Sequence, residues 1–246
     1  MTTTEASPTT GPHEYEMAAR DFDRVRRLIY ERAGIALGDH KREMVYGRLA
    51  RRLRALGLHD FRVYLDQLES QPASPEWQAF VNALTTNLTA FFREAHHFPL
   101  LAQFARERGP IDVWCCAAST GEEPYSIAIT LADALGSRAA PGCVLATDID
   151  TEVLAQASAG IYKAQRVDGI DEAQLKRHFM RGKGRNAGMV RVRPELARLV
   201  EYGALNLLDA DWGLQGRSFD VIFCRNVMIY FDKPTQTRIL QRFAPL

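Results

Sequence analysis

The stretch Ile111-Asp-Val-Trp-Cys-Cys-Ala-Ala-Ser-Thr-Gly-Glu-Glu-Pro124 decides the fold of this chain. Its first half, 111–117, is an almost continuous apolar run, which is typical of a strand buried on both faces of a parallel sheet. The polar residues 119–121 predict a turn, and the acids and proline of 122–124 open a helix that we expect to cover 125–135. A strand, a turn and a helix in this order predict the first unit of an α/β domain.

Three further apolar runs predict the other strands of this sheet. They are 143–146, 200–205 and 219–224, and Pro234 lies near the start of a last helix. Helical segments between the strands predict a parallel sheet that is covered on both faces. Ligands of such sheets bind beyond the carboxyl ends of the strands, at the point where the strand order reverses. The polar residues that follow the strands therefore form the candidate site.

Length and composition exclude several classes of protein. Of the 246 residues, 46% are hydrophobic and 25% are charged, which is typical of a globular protein. No apolar run approaches the roughly 20 residues that cross a bilayer, so membrane insertion is not expected. The polar start of the chain lacks the apolar core of a secretory signal. The four cysteines lie in apolar runs without C-x-x-C spacing, which favours reduced thiols in a cytoplasmic protein over a disulfide or zinc framework.

The net charge of +1 conceals an uneven distribution. Between residues 20 and 64 there are twelve basic and six acidic residues, so this segment carries +6 and the rest of the chain −5. The same segment has a helical pattern, which predicts a helical module that meets an anionic partner. Basic residues are not interleaved with aromatic ones and no nucleic-acid-binding motif is present, so nucleic acid is not the expected partner.

The helix predicted over 40–56 carries most of this charge. Its apolar residues recur at spacings of four, four and three and define one stripe that we expect to be buried, formed by Val45, Leu49, Leu53 and Leu56. An arginine ridge projects from the other side and flank, formed by Arg48, Arg51, Arg52 and Arg54. Only Glu43 lies nearby to neutralise it. The ridge is either a solvated helix face or a docking face for an acidic partner.

Acidic residues at the strand ends indicate which cofactor the sheet binds. Asp148 ends the second strand, where a carboxylate suits the hydroxyls of a ribose. A helix cap is the alternative role, although Asp150 or Thr151 could also cap that helix. Glu122 and Glu123, at the start of a helix, would repel a pyrophosphate and favour a cationic ligand. This pattern points to S-adenosylmethionine rather than NAD, and an NAD-dependent oxidoreductase remains the less favoured alternative.

Four sequence blocks, in one order along the chain, resemble those of a known family. They are 84–93 (LTTNLTAFFR), 119–126 (STGEEPYS), 147–150 (TDID) and 223–231 (FCRNVMIYF). They resemble the signature blocks of the CheR-type chemotaxis receptor methyltransferases, which transfer methyl from S-adenosylmethionine to protein glutamates. The implied fold is a Rossmann-like α/β methyltransferase sheet, C-terminally short, with a small inserted antiparallel β-subdomain and a preceding all-α domain.

The resemblance also implies a domain organisation. It comprises a disordered leader (1–18), a helical receptor-recognition domain (19–83), a linker helix that contributes to the cofactor site (84–109) and a catalytic domain (110–246) whose insert covers about 168–198. Arg93 and Tyr230 are implied to be catalytic, as residues that orient the incoming carboxylate. The implied cofactor-binding residues are Asn87, Thr89, Arg93, Glu123, Asp148, Asn206, Leu207, Arg225 and Asn226.

Two further surfaces are implied to bind the substrate protein. The arginine ridge matches the acidic methylation helices of cytoplasmic receptor domains. The glycines Gly182, Gly184 and Gly188 resemble a loop that, in some relatives, pairs with a peptide at the receptor C-terminus by strand addition. We expect a monomer without a metal, because no histidine has a partner at ligand spacing and the adjacent His96 and His97 would point apart on a helix.

The implied function is methylation of receptor glutamates in bacterial chemotaxis, with S-adenosylhomocysteine as the second product. Such an enzyme adapts the receptors to a persistent stimulus. The alternative is a regulatory or scaffolding protein that binds the cofactor without turnover, because the strands that complete the family's sheet are missing at the C-terminal end of the sequence.

Overall fold

The structure is a computed structural model that describes residues 14–246. The chain divides into two compact units. The helical unit consists of Leu37–Leu84 and the described residues before Arg32, and the α/β unit consists of Arg32–Ala36 and Thr85–Leu246. An all-helical unit followed by a parallel sheet and a small antiparallel sheet confirms the predicted fold class. Within the described residues no helix combines the length and the apolar character that a membrane span requires.

The described part of the helical unit has four α-helices, which are α1 (Ala19–Ala33), α2 (Arg42–Leu56), α3 (Phe61–Ser70) and α4 (Glu76–Leu84). Gly57 follows the last residue of α2 and caps it, because its φ of 67° allows its N–H to reach the last carbonyls of the helix. Helix α3 begins at Asp60, whose side chain accepts the N–H of Arg62. These signals fix where the two helices stop and start.

Three of the four residues in the predicted apolar stripe of α2 are buried. Val45, Leu49 and Leu53 are fully buried, whereas Leu56 is 42% exposed, so the prediction is wrong for Leu56. The reason is its position as the last residue of the helix, where Gly57 turns the chain away. The buried stripe therefore ends at Leu53, whereas the residue spacing predicts that it ends at Leu56.

The predicted disordered leader, 1–18, is too long at its C-terminal end. Residues 1–13 lie outside the described residues, but Tyr15 and Met17 are buried. The Tyr15 N–H donates to the Tyr46 hydroxyl at 3.0 Å, and the Arg42 guanidinium donates to the Met17 carbonyl. Two large apolar side chains in a polar segment provide enough burial to order 14–18 in the helical unit.

The main sheet of the α/β unit has four parallel strands. They are β1 (Val113–Cys115), β2 (Val144–Asp148), β6 (Val200–Ala204) and β7 (Val221–Phe223), in the spatial order β6-β2-β1-β7. The chain moves outward from β1 to β2 and β6 and then returns to the other side of β1 for β7. The strand order reverses at β1, so the carboxyl end of β1 is the ligand-binding position of this topology.

Both faces of this sheet are covered by helices. Val113 and Cys115 belong to a core with α5 (His97–Arg108) and α6 (Glu122–Leu135), whereas Trp114 and Cys116 belong to a second core with α10 (Lys233–Phe243). This alternation follows from the two-residue period of a strand. It explains why adjacent cysteines are both buried, while Cys224 is only partly buried.

The segment that joins the two units differs from the predicted linker helix over 84–109. Residues 85–90 have no regular structure, 91–96 form turns, and α5 begins only at His97. Phe92 and Glu94 have positive φ values of 52° and 53°, which are incompatible with a right-handed helix. The irregular part therefore places side chains of 85–94 at the sheet edge, where a continuous helix would carry them away.

The inserted antiparallel sheet has three strands, which are β3 (Ile161–Lys163), β4 (Phe179–Arg181) and β5 (Met189–Val192), in the order β3-β5-β4. The β4–β5 hairpin is the predicted one. Strand β3 is an addition and moves the start of the insert from about 168 to 161, because three residues are too short to show a strand period. The remaining helices are α7 (Thr151–Ala159), α8 (Glu172–His178) and α9 (Pro194–Ala197).

Candidate functional site

Asp148 is the carboxylate that joins the two central strands at the site. It ends β2 and is buried, and its oxygens accept the N–H of Ser119 at 2.8 Å and the N–H of Asp150 at 2.9 Å. Asp150, and not Asp148 or Thr151, caps α7 by accepting the N–H groups of Glu152 and Val153. Asp148 is therefore free of the capping role, and burial raises its pKa above the ordinary value.

Asp150 also anchors the segment that enters the α/β unit. The Thr85 hydroxyl donates to Asp150 Oδ2 at 2.6 Å, and the Asn87 amide donates to the same oxygen at 2.9 Å. Asn87 was predicted to contact the cofactor. In the structure its amide holds the segment against the carboxyl end of β2.

Glu123 lies in the first turn of α6 and pairs with Arg225, which follows β7. The Arg225 Nη1 donates to Glu123 Oε2 at 2.8 Å, and the Cys115 thiol donates to Oε1 at 3.5 Å. Burial raises the pKa of Glu123, although Arg225 opposes this shift. Arg225 also donates to the Arg93 carbonyl. The two predicted residues thus lie together and connect α6 to the segment 85–94.

The neighbouring acid Glu122 is neutralised within the protein. Its side chain is only 1% exposed and pairs with Arg166, while the Thr120 hydroxyl donates to its second oxygen at 2.6 Å. From the sequence, Glu122 and Glu123 together predict a negatively charged site for a cationic ligand. This prediction is wrong for Glu122, because Arg166 neutralises it. Because Glu123 has Arg225 beside it, the site also has less free negative charge than the sequence predicts.

Arg93 and Thr89 lie on the irregular segment before α5. The Arg93 Nη1 donates to the Leu88 carbonyl at 2.8 Å, which closes a turn around Thr89. The Phe92 N–H donates to Ser126 Oγ at 2.9 Å and so attaches the segment to α6. The Thr89 carbonyl accepts from Arg166 at 2.9 Å. Both predicted residues therefore belong to one tightly held turn at the edge of the sheet.

Asn206 and Leu207 follow β6 at the same edge. The Asn206 amide donates to the Arg32 carbonyl at 2.7 Å, and its Oδ1 accepts the Leu208 N–H at 3.0 Å. Leu207 is buried in the core beneath. The polar side chain of Asn206 thus fixes the local backbone of this turn.

Asn226 and Tyr230 follow β7 with Arg225. Asn226 has a φ of 57° and donates to Glu94 Oε1 at 3.0 Å. Tyr230 ends a turn of 3₁₀-helix, Met228–Tyr230, is half-buried, and accepts the Ala36 N–H through its carbonyl at 3.2 Å. The loop after β7 is therefore fixed on two sides, and the side chain of Tyr230 stays partly accessible.

Unpaired buried polar atoms at this edge test whether the residues fit a cofactor. Among the described residues, Ser119 Oγ and Arg225 Nε are buried without a hydrogen-bond partner. Ser119 also has a φ of 49°, an unfavourable backbone conformation for serine. A buried polar atom without a hydrogen-bond partner is unfavourable unless a bound ligand supplies that partner. Together with the acids Asp148 and Glu123, they fit a polar ligand with hydroxyl and cationic groups, as S-adenosylmethionine has.

The other predicted surfaces belong to other elements of the fold. The arginine ridge is on α2 in the helical unit, and the glycines lie on the hairpin of the inserted sheet, where any Cβ on Gly182 would collide with the Asn186 carbonyl. No group of three or more metal-binding side chains occurs within 14–246. The rings of His96 and His97 lie 4.0 Å apart, so the prediction that they point apart is wrong.

Comparison with known proteins gives two family matches that together span most of the chain. Residues 20–85 match the domain described as "CheR methyltransferase, all-alpha domain", and residues 87–246 match "CheR methyltransferase, SAM binding domain". A chemotaxis protein methyltransferase of Klebsiella aerogenes is 61% identical over all of this chain and 87% of its own length. One from Salmonella typhimurium is 63% identical over 92% of this chain and 78% of its own length. "Chemotaxis protein methyltransferase 2" of Pseudomonas aeruginosa is 53% identical over all of this chain and 88% of its own length.

Sequence reasoning missed several residues that hold the site together. They are Thr85, Glu94, Asp150 as an anchor, and Arg166. Arg166 lies 44 residues from Glu122 along the chain, and no local pattern connects the two. The one available signal was Glu122 itself, because an acid in a buried strand-turn-helix unit requires a cation from elsewhere.

The raised pKa of Asp148 predicts how its replacement changes the pH dependence of stability. The native state holds this proton more tightly than the unfolded state, so the wild-type free energy of unfolding falls as pH rises from near 3.8, the ordinary value for Asp. Asp148→Asn removes this loss. The free energy of unfolding of the variant, relative to that of wild type, should therefore increase as pH rises from about 4 towards 7.

Urea unfolding of both proteins at several pH values, without ligand, measures this difference. Asp168→Asn, at an exposed aspartate of the same unit, is the matched control. A difference for Asp148→Asn that stays constant across the range contradicts the prediction.

Proposed function

The chain belongs to the CheR methyltransferase family, and we propose that it transfers methyl groups from S-adenosylmethionine to glutamate side chains of chemoreceptors, forming glutamate methyl esters. S-adenosylmethionine is its cofactor, in agreement with the match to the SAM-binding domain. The observation that carries the proposal is the pair of buried acids, Asp148 and Glu123, at the reversal point of a parallel sheet. When bound, the cofactor supplies an electrophilic methyl group.

The residues at the site fit a reaction that needs positioning and no general base. A glutamate side chain with a pKa of about 4.3 is already ionised at neutral pH and can attack directly. Asp148 would hold the ribose hydroxyls, and Glu123 the aminoacyl end of the cofactor. The turns after β6 and β7 would supply Asn206, Leu207 and Asn226. Orientation of this kind contributes roughly 7–11 kcal/mol to lowering a barrier.

Arg93 and Tyr230 are proposed to orient the incoming carboxylate. Arg93 is anchored through its own turn and through Arg225, which donates a hydrogen bond to the Arg93 carbonyl. Tyr230 is half-buried in the loop that Arg225 and Asn226 begin. A guanidinium and a phenol can both donate to a carboxylate oxygen. Their anchoring to the segment and the loop supports this role, because an orienting group has to be held in place itself.

Methyl transfer to receptor-containing membranes tests the function. Labelled S-adenosylmethionine should give label that mild base releases, as expected of an ester. Arg93→Ala and Tyr230→Phe should lower kcat/KM for the receptor by about tenfold or more, because a misplaced reactant can cost on the order of a hundredfold in rate. Arg138→Ala, at an exposed arginine of the same unit, is the control.

The outcomes of this assay are distinct. Unchanged kcat/KM in both variants would remove Arg93 and Tyr230 from the catalytic role. Cofactor binding without any base-labile label would contradict the proposed activity and favour a protein that binds the cofactor without turnover.

We propose that the arginine ridge on α2 docks on the acidic methylation helices of the receptor. Fewer of its arginines are available for this contact than the sequence predicts. Arg52 makes two bonds to Glu76, at 2.9 and 2.5 Å, and Arg48 donates to the Ala83 carbonyl at 3.2 Å. The expectation that only Glu43 neutralises the ridge is therefore wrong. Arg51 and Arg54 are exposed; Arg51 Nε donates to the Gly47 carbonyl of its own helix at 3.2 Å, and Arg54 has a long contact of 3.4 Å to Glu14. These two arginines are the proposed contact positions, while Arg48 and Arg52 stabilise the helical unit.

Reversal of charge at Arg51 and Arg54 tests the docking face. The double variant Arg51→Glu/Arg54→Glu should raise KM for the receptor by about tenfold, since each exposed ion pair contributes about 0.2–1 kcal/mol and reversal adds repulsion. Affinity for the cofactor should not change. Arg20→Glu/Lys41→Glu alters the net charge equally at other exposed positions and is the control. Equal increases of KM in both double variants would contradict a specific face.

The inserted sheet is proposed to bind an acidic receptor-tail peptide by strand addition. Strand β4 lies at one edge of the order β3-β5-β4, so one side of it has no partner strand in the sheet. Exposed basic side chains lie on β4 and in the loop after it, at Arg181, Lys183 and Arg185. Gly184 and Gly188 have φ values of 57° and 82°, which shape the loop that leads from β4 to β5. An open edge with positive charge supports an acidic, extended ligand.

Calorimetric titration with a receptor-tail peptide tests strand addition. The peptide should bind, and Arg181→Glu should weaken binding several-fold because the edge loses positive charge. The matched control is the same peptide with alternate backbone N–H groups methylated, which cannot pair with a strand edge. Equal binding of the two peptides would contradict strand addition and leave only a charge effect.

A further inference from the structure

Arg166 is a charged residue at the site whose role the proposed function leaves unexplained. It lies in the 3₁₀ turn Ala164–Val167, directly after β3 of the inserted sheet. Its guanidinium extends from this turn to the N-terminal end of α6. No sequence motif marks it, and its side chain is 44% exposed, so only the structure shows what it contacts.

The guanidinium of Arg166 contacts two different parts of the cofactor site. Its Nε donates to Glu122 Oε1 at 3.0 Å, and its Nη2 donates to the same oxygen. The same Nη2 donates to the Thr89 carbonyl at 2.9 Å. One side chain therefore joins the first turn of α6 to the middle of the segment that carries Thr89 and Arg93.

The contact with Glu122 meets an electrostatic need of the fold. A carboxylate that is 1% exposed requires a cation or several donors to stay charged. The Thr120 hydroxyl provides one donor and Arg166 provides the positive charge. Neutralisation alone does not require the contact with Thr89. That contact is made by Nη2, the far end of the arginine side chain, whereas the ammonium of a lysine ends one bond short of this position and lacks the second donor that Nε gives to Glu122.

Strand β3 adds a second tie from the same short stretch of chain. The Tyr162 hydroxyl donates to the Thr120 carbonyl at 2.8 Å, so it fixes the loop before α6. Four residues later Arg166 fixes the start of α6 against Thr89. The beginning of the inserted sheet thus holds both the loop after β1 and the segment 85–94.

We propose that Arg166 is a positioning residue for cofactor binding, which sets the Thr89 turn against the N-terminal end of α6 through its bonds to Glu122 and to the Thr89 carbonyl. The proposal rests on the proposed function, in which Thr89 and its turn contact S-adenosylmethionine. In this role Arg166 acts through its contacts within the chain and not through contact with the cofactor or the receptor. It acts by keeping the turn that carries Thr89 and Arg93 in place.

Three variants separate positioning from charge neutralisation. Arg166→Gln removes both effects and should weaken binding of S-adenosylhomocysteine about tenfold, as expected for the loss of a charge-assisted hydrogen bond. Arg166→Lys keeps the charge beside Glu122 and should recover the wild-type Tm without recovering the affinity. The double variant Glu122→Gln/Arg166→Gln removes the buried charge together with its partner, and should also recover most of the Tm while binding stays weak.

Calorimetry gives the affinity, thermal unfolding gives the Tm, and steady-state methyl transfer gives the KM values. KM for S-adenosylmethionine should rise in Arg166→Gln and Arg166→Lys, while KM for the receptor stays within about twofold of wild type. Arg138→Gln removes one positive charge at an exposed position of the same unit, outside the two proposed receptor surfaces, and is the matched control. It should match wild type in all three measurements.

The results distinguish this inference from the proposed function. If wild type binds S-adenosylhomocysteine and Arg166→Gln binds it equally well, the positioning role is wrong and the proposed function stands. If affinity follows Tm through all three variants, Arg166 acts only on the stability of the fold, and the inference is again wrong. If wild type does not bind S-adenosylhomocysteine at all, the proposed function fails first.

Discussion

The site depends on one buried carboxylate, Asp148, which accepts backbone N–H groups from the loops that follow β1 and β2. Parallel pairing brings the ends of these strands together, but it does not fix the loops beyond them. Asp148 does so by bonding Ser119 on one side and Asp150 on the other. Because the carboxylate is buried, desolvation raises its pKa, although the backbone hydrogen bonds from Asp150 and Ser119 oppose the shift. The fold thus retains an unfavourable charge at the position where a ligand with hydroxyl donors would relieve it.

Buried acids fix the other walls of the site in the same way. Asp150 binds Thr85 and Asn87, Glu122 binds Arg166, and Glu123 binds Arg225. Each pair joins the sheet or α6 to a segment distant in sequence. Removal of Arg225 from its pair with Glu123 would leave a buried charge uncompensated, which typically costs about 3–5 kcal/mol. The irregular backbone of 85–94, with two positive φ values outside glycine, is maintained by these bonds and not by local preference.

The sequence allowed prediction of elements whose signal is local. The apolar runs identified all four parallel strands, and the residues after them included Asp148, Glu123 and Arg225. The hairpin β4–β5 followed from its alternation and glycines, whereas β3 is too short to show a period. Arg166 and Thr85 could not be predicted, because each matters through a partner 44 or 65 residues away. The arginine ridge shows the same limit: one helix can display four arginines by spacing, but spacing does not reveal that Glu76, on α4, neutralises Arg52.

The distribution of these contacts fits a reaction in which the protein supplies geometry. A carboxylate nucleophile needs no proton removed, so the site does not require a base with a tuned pKa. It requires that three surfaces stay in register: the strand ends, the first turn of α6 and the turn of Thr89 and Arg93. The structure joins the strand ends to the first turn of α6 through Cys115 and Glu123, and it joins α6 to the turn of Thr89 and Arg93 through Arg166 and Ser126. Since Tyr162 lies on β3 of the inserted sheet and Arg166 in the turn directly after it, this part of the chain contributes to the framework of the site, in addition to the partner surface proposed for the sheet.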